Sequence, residues 1–336
     1  MSSPDFTHPT VQEHDCLIQD FKFHTGEVLP ELKLHYTSIG SPTGEPILIL
    51  HGTLGSGAGL LNPKFGGELF GPGQLFDANQ YFIILPDAIG TGKSSKPSDG
   101  LRMRFPKYNY DDMVTAQHHL VTEHLGIQRL RAILGYSMGG MHVWQWAQQF
   151  PDMMDIAVPM ASLPTEMSGR NWIMRRLIID SIRNDPDWLQ GNYLQQPASL
   201  QFASAFYSMA TNGGNMAMAK AANTRANADA LLNAKLTEPF DGDANDHLYQ
   251  WSASEDYNAA AGLERISAAL LAINSADDER YPIENGVLER EILRIQHGKS
   301  FTIPASELTC GHGTAAQAKF WKHELADFFQ QHPAKS

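Results

Sequence analysis

The sequence is poor in the features that mark several classes of protein. Only two of its 336 residues are cysteines, so a disulfide framework is excluded. Its 25 Lys and Arg are outnumbered by 37 Asp and Glu, and the formal net charge of −12 disfavours nucleic acid and anionic membranes as partners. No apolar run approaches membrane-spanning length, and residues 1–10 lack the basic and apolar regions of a signal peptide. We therefore expect a cytoplasmic protein with neither a nucleic-acid nor a membrane partner.

Residue spacings typical of metal sites are missing as well. The chain has 14 histidines, but none belongs to an H-E-x-x-H or comparable pattern, and the adjacent pair His118 and His119 has no further ligand at suitable spacing. The sequence therefore predicts no catalytic metal, and we expect no other cofactor.

Apolar residues, in contrast, are plentiful enough for one large core, because they make up 42% of the chain. Short apolar runs that read as buried strands alternate with helix-forming sequence, which predicts an α/β fold with a mostly parallel central sheet flanked by helices. The alternation is interrupted by helix-rich sequence at 164–262. We therefore expect a core domain built from 1–163 and 263–336, with an inserted helical cap at 164–262.

The most informative motif is Gly135-Tyr-Ser-Met-Gly139, a G-x-S-x-G pattern between the apolar run 130–134 and the helix-forming stretch 141–147. Strand, sharp turn and helix are the context of a nucleophile elbow, which holds its serine in strained backbone and leaves no room for Cβ atoms beside it. A glycine-bounded turn in which the serine has no catalytic role would have the same sequence pattern. The flanking elements nevertheless favour Ser137 as a catalytic nucleophile of an α/β-hydrolase fold.

A serine nucleophile needs an acid and a base, which in this fold follow it in the order Asp or Glu, then His. The apolar run 268–274 predicts a buried strand that delivers Asp278 into the next loop, with Asp277 as the competing candidate. The run 299–303 predicts one more strand, and His312 lies in the loop after it. In the predicted triad Ser137 attacks, His312 relays the proton and Asp278 orients the imidazole.

Two further segments complete the predicted active-site region. The developing oxyanion needs N–H donors, which we assign to Met138 and to Thr53 in the glycine-rich loop 51–59, with Leu54 as the next choice. After the His312 loop, an amphipathic C-terminal helix is predicted from about Thr314 to Phe329.

With these residues in place, the chain resembles the α/β-hydrolase-fold enzymes related to homoserine O-acetyltransferase. The resemblance runs through most of the chain, and its most specific part is Ser137-Met-Gly-Gly-Met141 together with Asp112-Met-Val-Thr-Ala-Gln117. Weaker matches include Gly71-Pro-Gly73, Asp185-Pro186, Gly191-Asn-Tyr193 and Gly311-His312. The resemblance implies chemistry through an acyl-enzyme, an acyl-CoA donor if the protein is a transferase, and a possible homodimer.

Two departures from the family pattern bear on the substrate. Tyr136 stands where the acetyltransferases have a glycine before the nucleophile. The stretch 201–211, where they carry a motif resembling Arg-x-Gly-His-Ile-Thr-Tyr, contains no arginine. Because a substrate carboxylate buried without a charged partner is costly, this loss argues against homoserine as the substrate.

The predicted cap is rich in methionine and aromatic side chains, which gives it an adaptable apolar surface. Some of these side chains can equally pack the cap against the core. As substrate-binding residues we select Leu54, Tyr136, Trp172, Phe206 and Tyr207.

The sequence leads to three functional hypotheses. The first is an esterase-like hydrolase that acts on a small, mostly apolar acyl ester through an acyl-enzyme at Ser137. The alternative is an O-acyltransferase of the homoserine O-acetyltransferase type that uses acyl-CoA. The second alternative is a catalytically silent protein that binds a ligand in the same pocket. In the two enzymatic hypotheses the expected partner is a small-molecule ester or acyl donor.

Overall fold

The computed structural model describes residues 10–334, and the N-terminal segment assessed for a signal peptide lies almost entirely outside this range. Eight strands form one sheet: β1 (Gln12–Lys22), β2 (Val28–Ile39), β3 (Glu45–Leu50), β4 (Tyr81–Pro86), β5 (Leu130–Tyr136), β6 (Met154–Met160), β7 (Ala269–Ser275) and β8 (Gly298–Ile303). Their order across the sheet is β1-β2-β4-β3-β5-β6-β7-β8. The β1–β2 and β2–β4 pairs are antiparallel and the remaining pairs are parallel. This sheet confirms the predicted α/β fold.

The central strands are buried on both faces, which explains why they read as continuous apolar runs in the sequence. In β3, Ile47 and Ile49 belong to the core on one face, whereas Leu48 and Leu50 belong to the core on the other. The alternation follows from the strand geometry, which points successive side chains to opposite faces. Helices from both halves of the chain pack on the two faces.

The helices outside the predicted cap region are α1 (Gly66–Leu69), α2 (Tyr110–His119), α3 (Met138–Gln149), α9 (Val287–Ile292) and α10 (Lys322–Gln331). Between β6 and β7 the chain forms α4 (Gly169–Arg183), α5 (Ala198–Ala210), α6 (Asn215–Ala221), α7 (Arg225–Thr237) and α8 (Ala244–Ser252). Apolar side chains of α4, α5 and α8 form a separate small core. The domain boundaries at 163/164 and 262/263 stay a prediction. Within residues 10–334 no helix is long and apolar enough to cross a membrane.

The C-terminal helix begins later than predicted. Residues Gly311–Ala316 and Ala318–Phe320 form short 3₁₀ turns, and the α-helix starts at Lys322 rather than near Thr314. Gln317 has an extended backbone, with φ −112° and ψ 100°, and the next amide, that of Ala318, donates to the Lys64 carbonyl instead of continuing a helix. This tertiary hydrogen bond replaces the helical pattern at Ala318, and His312 lies in the first of the two 3₁₀ turns.

Candidate active site

The backbone at Ser137 has the shape of a nucleophile elbow. Ser137 joins β5 to α3 with φ 56° and ψ −111°, an unfavourable conformation for a residue with a Cβ atom. The Gly139 amide donates to the His51 carbonyl at 3.0 Å. A Cβ atom on Gly135 would overlap the Gly139 carbonyl, and one on Gly139 would overlap the Leu50 carbonyl. Both positions therefore require glycine, as the motif predicts.

Ser137, His312 and Asp278 form one hydrogen-bonded chain. His312 Nε2 lies 2.9 Å from Ser137 Oγ, and His312 Nδ1 lies 2.9 Å from Asp278 Oδ2. The other Asp278 oxygen accepts hydrogen bonds from the Arg280 amide at 2.8 Å and the Tyr281 amide at 3.1 Å. The three residues predicted as a triad are thus in contact, with the imidazole between the hydroxyl and the carboxylate. They are buried, with exposed fractions of 2%, 1% and 3% for Ser137, His312 and Asp278.

Asp277, the competing candidate for the acid, has other partners. Its Oδ2 accepts hydrogen bonds from Thr309 Oγ1 at 2.7 Å and from the Gly311 amide at 3.2 Å, while its Oδ1 accepts one from Ser275 Oγ at 2.5 Å. Asp277 therefore holds the loop that carries His312, and it is Asp278 that contacts the imidazole.

Glu279 connects the same loop to the cap. Its Oε2 accepts a hydrogen bond from the His312 amide at 3.0 Å, and its Oε1 accepts one from the Gly214 amide at 2.7 Å. Two more hydrogen bonds join residues 212–214 to residues 310–313. Three consecutive carboxylates after β7 thus fix the imidazole, its loop and the adjacent cap segment.

The protonation states suit proton transfer from serine to histidine. Burial, together with the positive charge of Arg280, lowers the pKa of His312 to about 4, although the Asp278 carboxylate acts in the opposite direction. Burial alone would raise the pKa of Asp278, but His312 and the hydrogen bond from the Arg280 amide hold it below its usual value. At neutral pH the site therefore contains a neutral imidazole beside a carboxylate.

The loop predicted to supply oxyanion donors packs directly on the elbow. A Cβ atom built on Gly52 would lie 3.5 Å from Ser137 Cβ and 3.0 Å from the Tyr136 ring. Met138 is the first residue of α3, where an amide has no acceptor within its own helix. Thr53 follows Gly52, and its hydroxyl oxygen is buried without a hydrogen-bond partner in the described chain. The two segments assigned as donors are therefore neighbours of the nucleophile.

The structure separates the five side chains predicted to bind substrate. The Tyr136 hydroxyl donates to the carbonyl of the triad histidine at 3.3 Å, and Tyr207 is buried with its ring 4.6 Å from that of a cap tryptophan. Leu54 is 37% exposed, and Trp172 is half-buried on α4. Phe206 is 48% exposed and lines a groove between α5 and α7 that contains none of the triad residues. Of the five, Tyr136 contacts the triad histidine and Phe206 faces a separate groove, and the substrate-binding roles of Leu54, Trp172 and Tyr207 stay predictions.

The sequence analysis missed a buried arginine in the cap. Arg175 has an exposed fraction of 0%, and it donates from Nε to Asn171 Oδ1 at 3.1 Å and from Nη1 to Ser254 Oγ at 3.2 Å. Its guanidinium carbon lies 5.0 Å from the centroid of the Trp251 ring. The buried face of α4 contains Asn171, Arg175 and Ile178 at helical spacing. An arginine at a position of this face was the sequence signal that could have indicated a buried charge.

A cleft of about 370 Å³ opens beside the triad acid. Its lining includes Leu163, Met167, Asp278, Arg280 and Tyr281, but neither the nucleophile nor the imidazole. In residues 10–334 no group of three or more His, Cys, Asp or Glu side chains is placed to hold a metal ion. Ser137 and His312 are thus buried, and this cleft lies on the side of Asp278.

Titration of His312 tests the electrostatics of the site. We expect the imidazole resonance that disappears in His312→Gln to titrate with a pKa of about 4 by NMR. Arg280→Gln should raise this pKa, because removing a nearby positive charge makes the imidazolium less unfavourable, whereas Arg280→Lys should raise it less. Arg290→Gln, at a mostly exposed arginine paired with Glu291, is the control and should leave the pKa unchanged. A wild-type midpoint near the unperturbed value of roughly 6.5 would contradict the proposed burial effect.

Comparison with known proteins agrees with this architecture. A family model for the α/β hydrolase fold matches residues 45–285, a segment that contains Ser137 and Asp278 but ends before His312. A homoserine O-acetyltransferase from Haloarcula marismortui is 31% identical over 313 residues, which cover 79% of this chain and 76% of that protein. A homoserine O-acetyltransferase from Geotalea daltonii is 35% identical over 206 residues, and this match spans 56% of each chain.

Solved structures share the fold at lower identity. The homoserine O-acetyltransferase of Bacillus anthracis superposes with a TM-score of 0.83 at 20% identity and covers 98% of this chain and 100% of that one. Esterase E22 superposes with a TM-score of 0.82 at 18% identity, with 95% and 99% covered. Together with the sheet order and the elbow, the sequence matches lead to one conclusion: this chain belongs to the α/β-hydrolase-fold family, in the branch that contains the homoserine O-acetyltransferases.

Proposed function

We propose that the protein is a serine-dependent O-acyltransferase, which moves an acyl group from an activated donor through Ser137 to the hydroxyl group of a small acceptor. The observation that carries this proposal is the buried hydrogen-bonded chain of Ser137, His312 and Asp278. Its spacing of 2.9 Å at both hydrogen bonds suits general-base activation of a serine hydroxyl.

The first half-reaction forms the acyl-enzyme. Ser137 Oγ attacks the acyl carbonyl carbon while His312 Nε2 takes the hydroxyl proton, and the negative charge on the tetrahedral intermediate accepts hydrogen bonds from the Met138 and Thr53 amides. Collapse of the intermediate breaks the bond to the thiol or alcohol of the donor, which leaves with the proton from His312. Asp278 keeps the imidazole oriented and stabilises its positive charge without taking the proton itself.

The second half-reaction repeats these steps with the acceptor. His312 removes the proton of the acceptor hydroxyl, whose oxygen attacks the acyl carbon, and Ser137 leaves with the proton returned by His312. No net proton is gained or lost over the cycle, whether the donor is a thioester or an ester. Water would compete with the acceptor at this stage, so an enclosed site favours transfer.

Two observations support transfer over hydrolysis. The nucleophile and the imidazole are only 2% and 1% exposed, which limits access of bulk water to the acyl-enzyme. In addition, the relative with 31% identity over 79% of the chain is named a homoserine O-acetyltransferase. The acceptor need not be homoserine itself, since residues 201–211 lack the arginine that the family motif carries there.

Hydrolysis of a small ester is the second candidate. It is favoured by the aromatic surroundings of the imidazole, where the ring centroids of Tyr136 and Tyr281 lie 5.5 and 5.9 Å from that of His312. A catalytically silent binding protein is disfavoured, because the chain keeps all three triad residues in contact. The cytoplasmic location and the homodimer stay predictions.

A two-donor assay distinguishes the candidates. Purified protein is given acetyl-CoA or p-nitrophenyl acetate, each with and without a hydroxyl acceptor such as homoserine or 4-hydroxybutyrate, and both acetylated acceptor and free acetate are measured. We expect formation of acetylated acceptor that disappears in Ser137→Ala. Ester turnover that yields only acetate and ignores every acceptor would establish the hydrolase instead. A lack of turnover with both donors would contradict both enzymatic functions.

The bridge formed by Glu279 predicts a positioning effect on the reaction. Glu279→Gln keeps the size of the side chain but replaces one accepting oxygen with an NH₂ group, so the His312 amide and the cap amide of Gly214 cannot both be satisfied. We expect kcat to fall roughly 10- to 100-fold through misplacement of the imidazole, with a smaller change in KM. Glu289→Gln, at an exposed glutamate on α9, is the matched control. Unchanged kcat in Glu279→Gln would show that this bridge does not position the base.

A further inference from the structure

Tyr136, the residue before the nucleophile, contacts two other parts of the active site. It is the last residue of β5, and a Cβ atom on Gly135 before it would point into α3. Because successive residues of a strand face opposite sides of the sheet, the Tyr136 side chain points away from α3. Its ring is partly buried and packs against the core on that other side. The tyrosine thus adds a large side chain at a position where the family pattern has glycine.

The hydroxyl group of Tyr136 holds the backbone of the triad histidine. It donates a hydrogen bond to the His312 carbonyl at 3.3 Å, and the ring centroids of the two residues lie 5.5 Å apart. Glu279 accepts a hydrogen bond from the amide of the same histidine at 3.0 Å. The backbone of His312 is therefore held at its N–H and at its C=O by two side chains, one from the loop after β7 and one from the end of β5.

The ring of Tyr136 also supports the loop assigned to the oxyanion donors. A Cβ atom built on Gly52 would lie 3.0 Å from Cδ1 and 3.1 Å from Cε1 of this ring, so the Gly52 backbone packs directly against it. The Gly52 carbonyl accepts hydrogen bonds from His51 Nδ1 at 2.7 Å and from the Gly55 amide at 2.9 Å, which closes the loop into a tight turn. Thr53, the second predicted oxyanion donor, is the next residue in this turn. The ring thus limits how closely the turn can approach the nucleophile.

Both contacts bear on the same chemical step. Attack by Ser137 needs His312 Nε2 at hydrogen-bond distance from Oγ and amide donors aimed at the developing oxyanion. Burial raises the pKa of the Tyr136 hydroxyl, so at neutral pH this group stays protonated and keeps donating to the His312 carbonyl. One side chain therefore fixes the backbone of the base and limits the position of the oxyanion loop. A glycine at this position has no side chain and can supply neither contact.

We propose that Tyr136 is a positioning residue, which holds His312 and the oxyanion loop at residues 51–55 at fixed distances from the nucleophile. It acts through the backbone of these two segments and does not itself contact the substrate. The inference rests on the proposed function in that Ser137 and His312 act as nucleophile and base. It assigns Tyr136 this role instead of the substrate-binding role predicted from the sequence, because its hydroxyl group is bonded to the protein and its ring is covered by Gly52.

Labelling of Ser137 by a fluorophosphonate tests this role without an acyl donor or an acceptor. In this reaction Ser137 Oγ attacks the phosphorus atom, His312 takes the hydroxyl proton, and fluoride leaves. Mass spectrometry of the intact protein gives the rate constant for two reagents, which carry a methyl or a propyl group on phosphorus. We expect Tyr136→Phe to slow labelling roughly 3- to 10-fold through the loss of one hydrogen bond, and by the same factor with both reagents.

Tyr249→Phe is the matched control, because it also removes a buried hydroxyl group that donates to a backbone carbonyl, that of Phe105. It should be labelled at the wild-type rate, and thermal unfolding checks that both variants are folded at the assay temperature. Labelling of Tyr136→Phe at the wild-type rate would overturn the proposal. A loss of rate that differs between the two reagents would overturn it as well, because it would indicate direct contact with the ligand.

A second set of variants tests the ring. Gly52→Ala places a methyl group 3.0 Å from the Tyr136 ring, so we expect it to slow labelling roughly 3- to 10-fold by displacing the turn. In the background of Tyr136→Ala this clash is absent, and adding Gly52→Ala should change the rate less than about twofold. An equal effect of Gly52→Ala in both backgrounds would show that the ring does not position the loop.

Failure of this inference can be told apart from failure of the proposed function, because labelling does not depend on acyl transfer. A chain that is labelled at Ser137 and slowed by Tyr136→Phe, yet transfers no acyl group, would support the inference while refuting the proposed function. A wild-type chain that is not labelled at all would overturn both, because Ser137 would then not act as a nucleophile.

Discussion

The strained backbone of Ser137 depends on close packing of the strands and the helix around it. A residue with a Cβ atom at φ 56° is unfavourable by roughly 1–3 kcal/mol, so it persists only where neighbouring elements leave no alternative. Here β5 approaches α3 so closely at Gly135, and α3 approaches the end of β3 so closely at Gly139, that neither glycine admits a side chain. The Gly139 amide also donates a hydrogen bond to the His51 carbonyl in the loop after β3. The central parallel sheet thereby presents the hydroxyl at the carboxyl end of β5. Its partners must then be delivered to that point by other strands of the sheet.

Those partners arrive from the carboxyl ends of β7 and β8. The three acidic residues after β7 have different hydrogen-bond partners. Asp277 binds the loop that carries His312, Asp278 binds the imidazole of His312, and Glu279 joins the His312 amide to the cap. The Glu279 carboxylate accepts hydrogen bonds from the backbone amides of both His312 and Gly214. The position of His312 therefore depends on the position of the cap segment that contains Gly214. Residues 212–214 are thus linked to the loop that carries His312, and α4 of the same region contains the buried Arg175.

Much of this arrangement could be predicted from the sequence because the signals are local. The G-x-S-x-G pattern lies between a strand and a helix, and Asp278 and His312 each follow an apolar strand, so chain order alone selected three residues that the structure brings into contact. The predicted start of α10 was wrong, because the true start depends on hydrogen bonds to residues that are distant in the sequence. One example is the hydrogen bond from the Ala318 amide to the Lys64 carbonyl. Phe206 and Arg175 show the same limitation in the cap: composition indicates an apolar helix, but only packing determines which face points outward and which buries a charge.

In the proposed reaction, Ser137 carries the acyl group between donor and acceptor. Mass spectrometry of the protein, quenched within the first turnover after mixing with p-nitrophenyl acetate, tests it directly. We expect one acetyl group on the peptide that contains Ser137, and its loss when a hydroxyl acceptor is added before quenching. Steady release of p-nitrophenol without any acetyl group on Ser137 would show that this serine does not carry the acyl group.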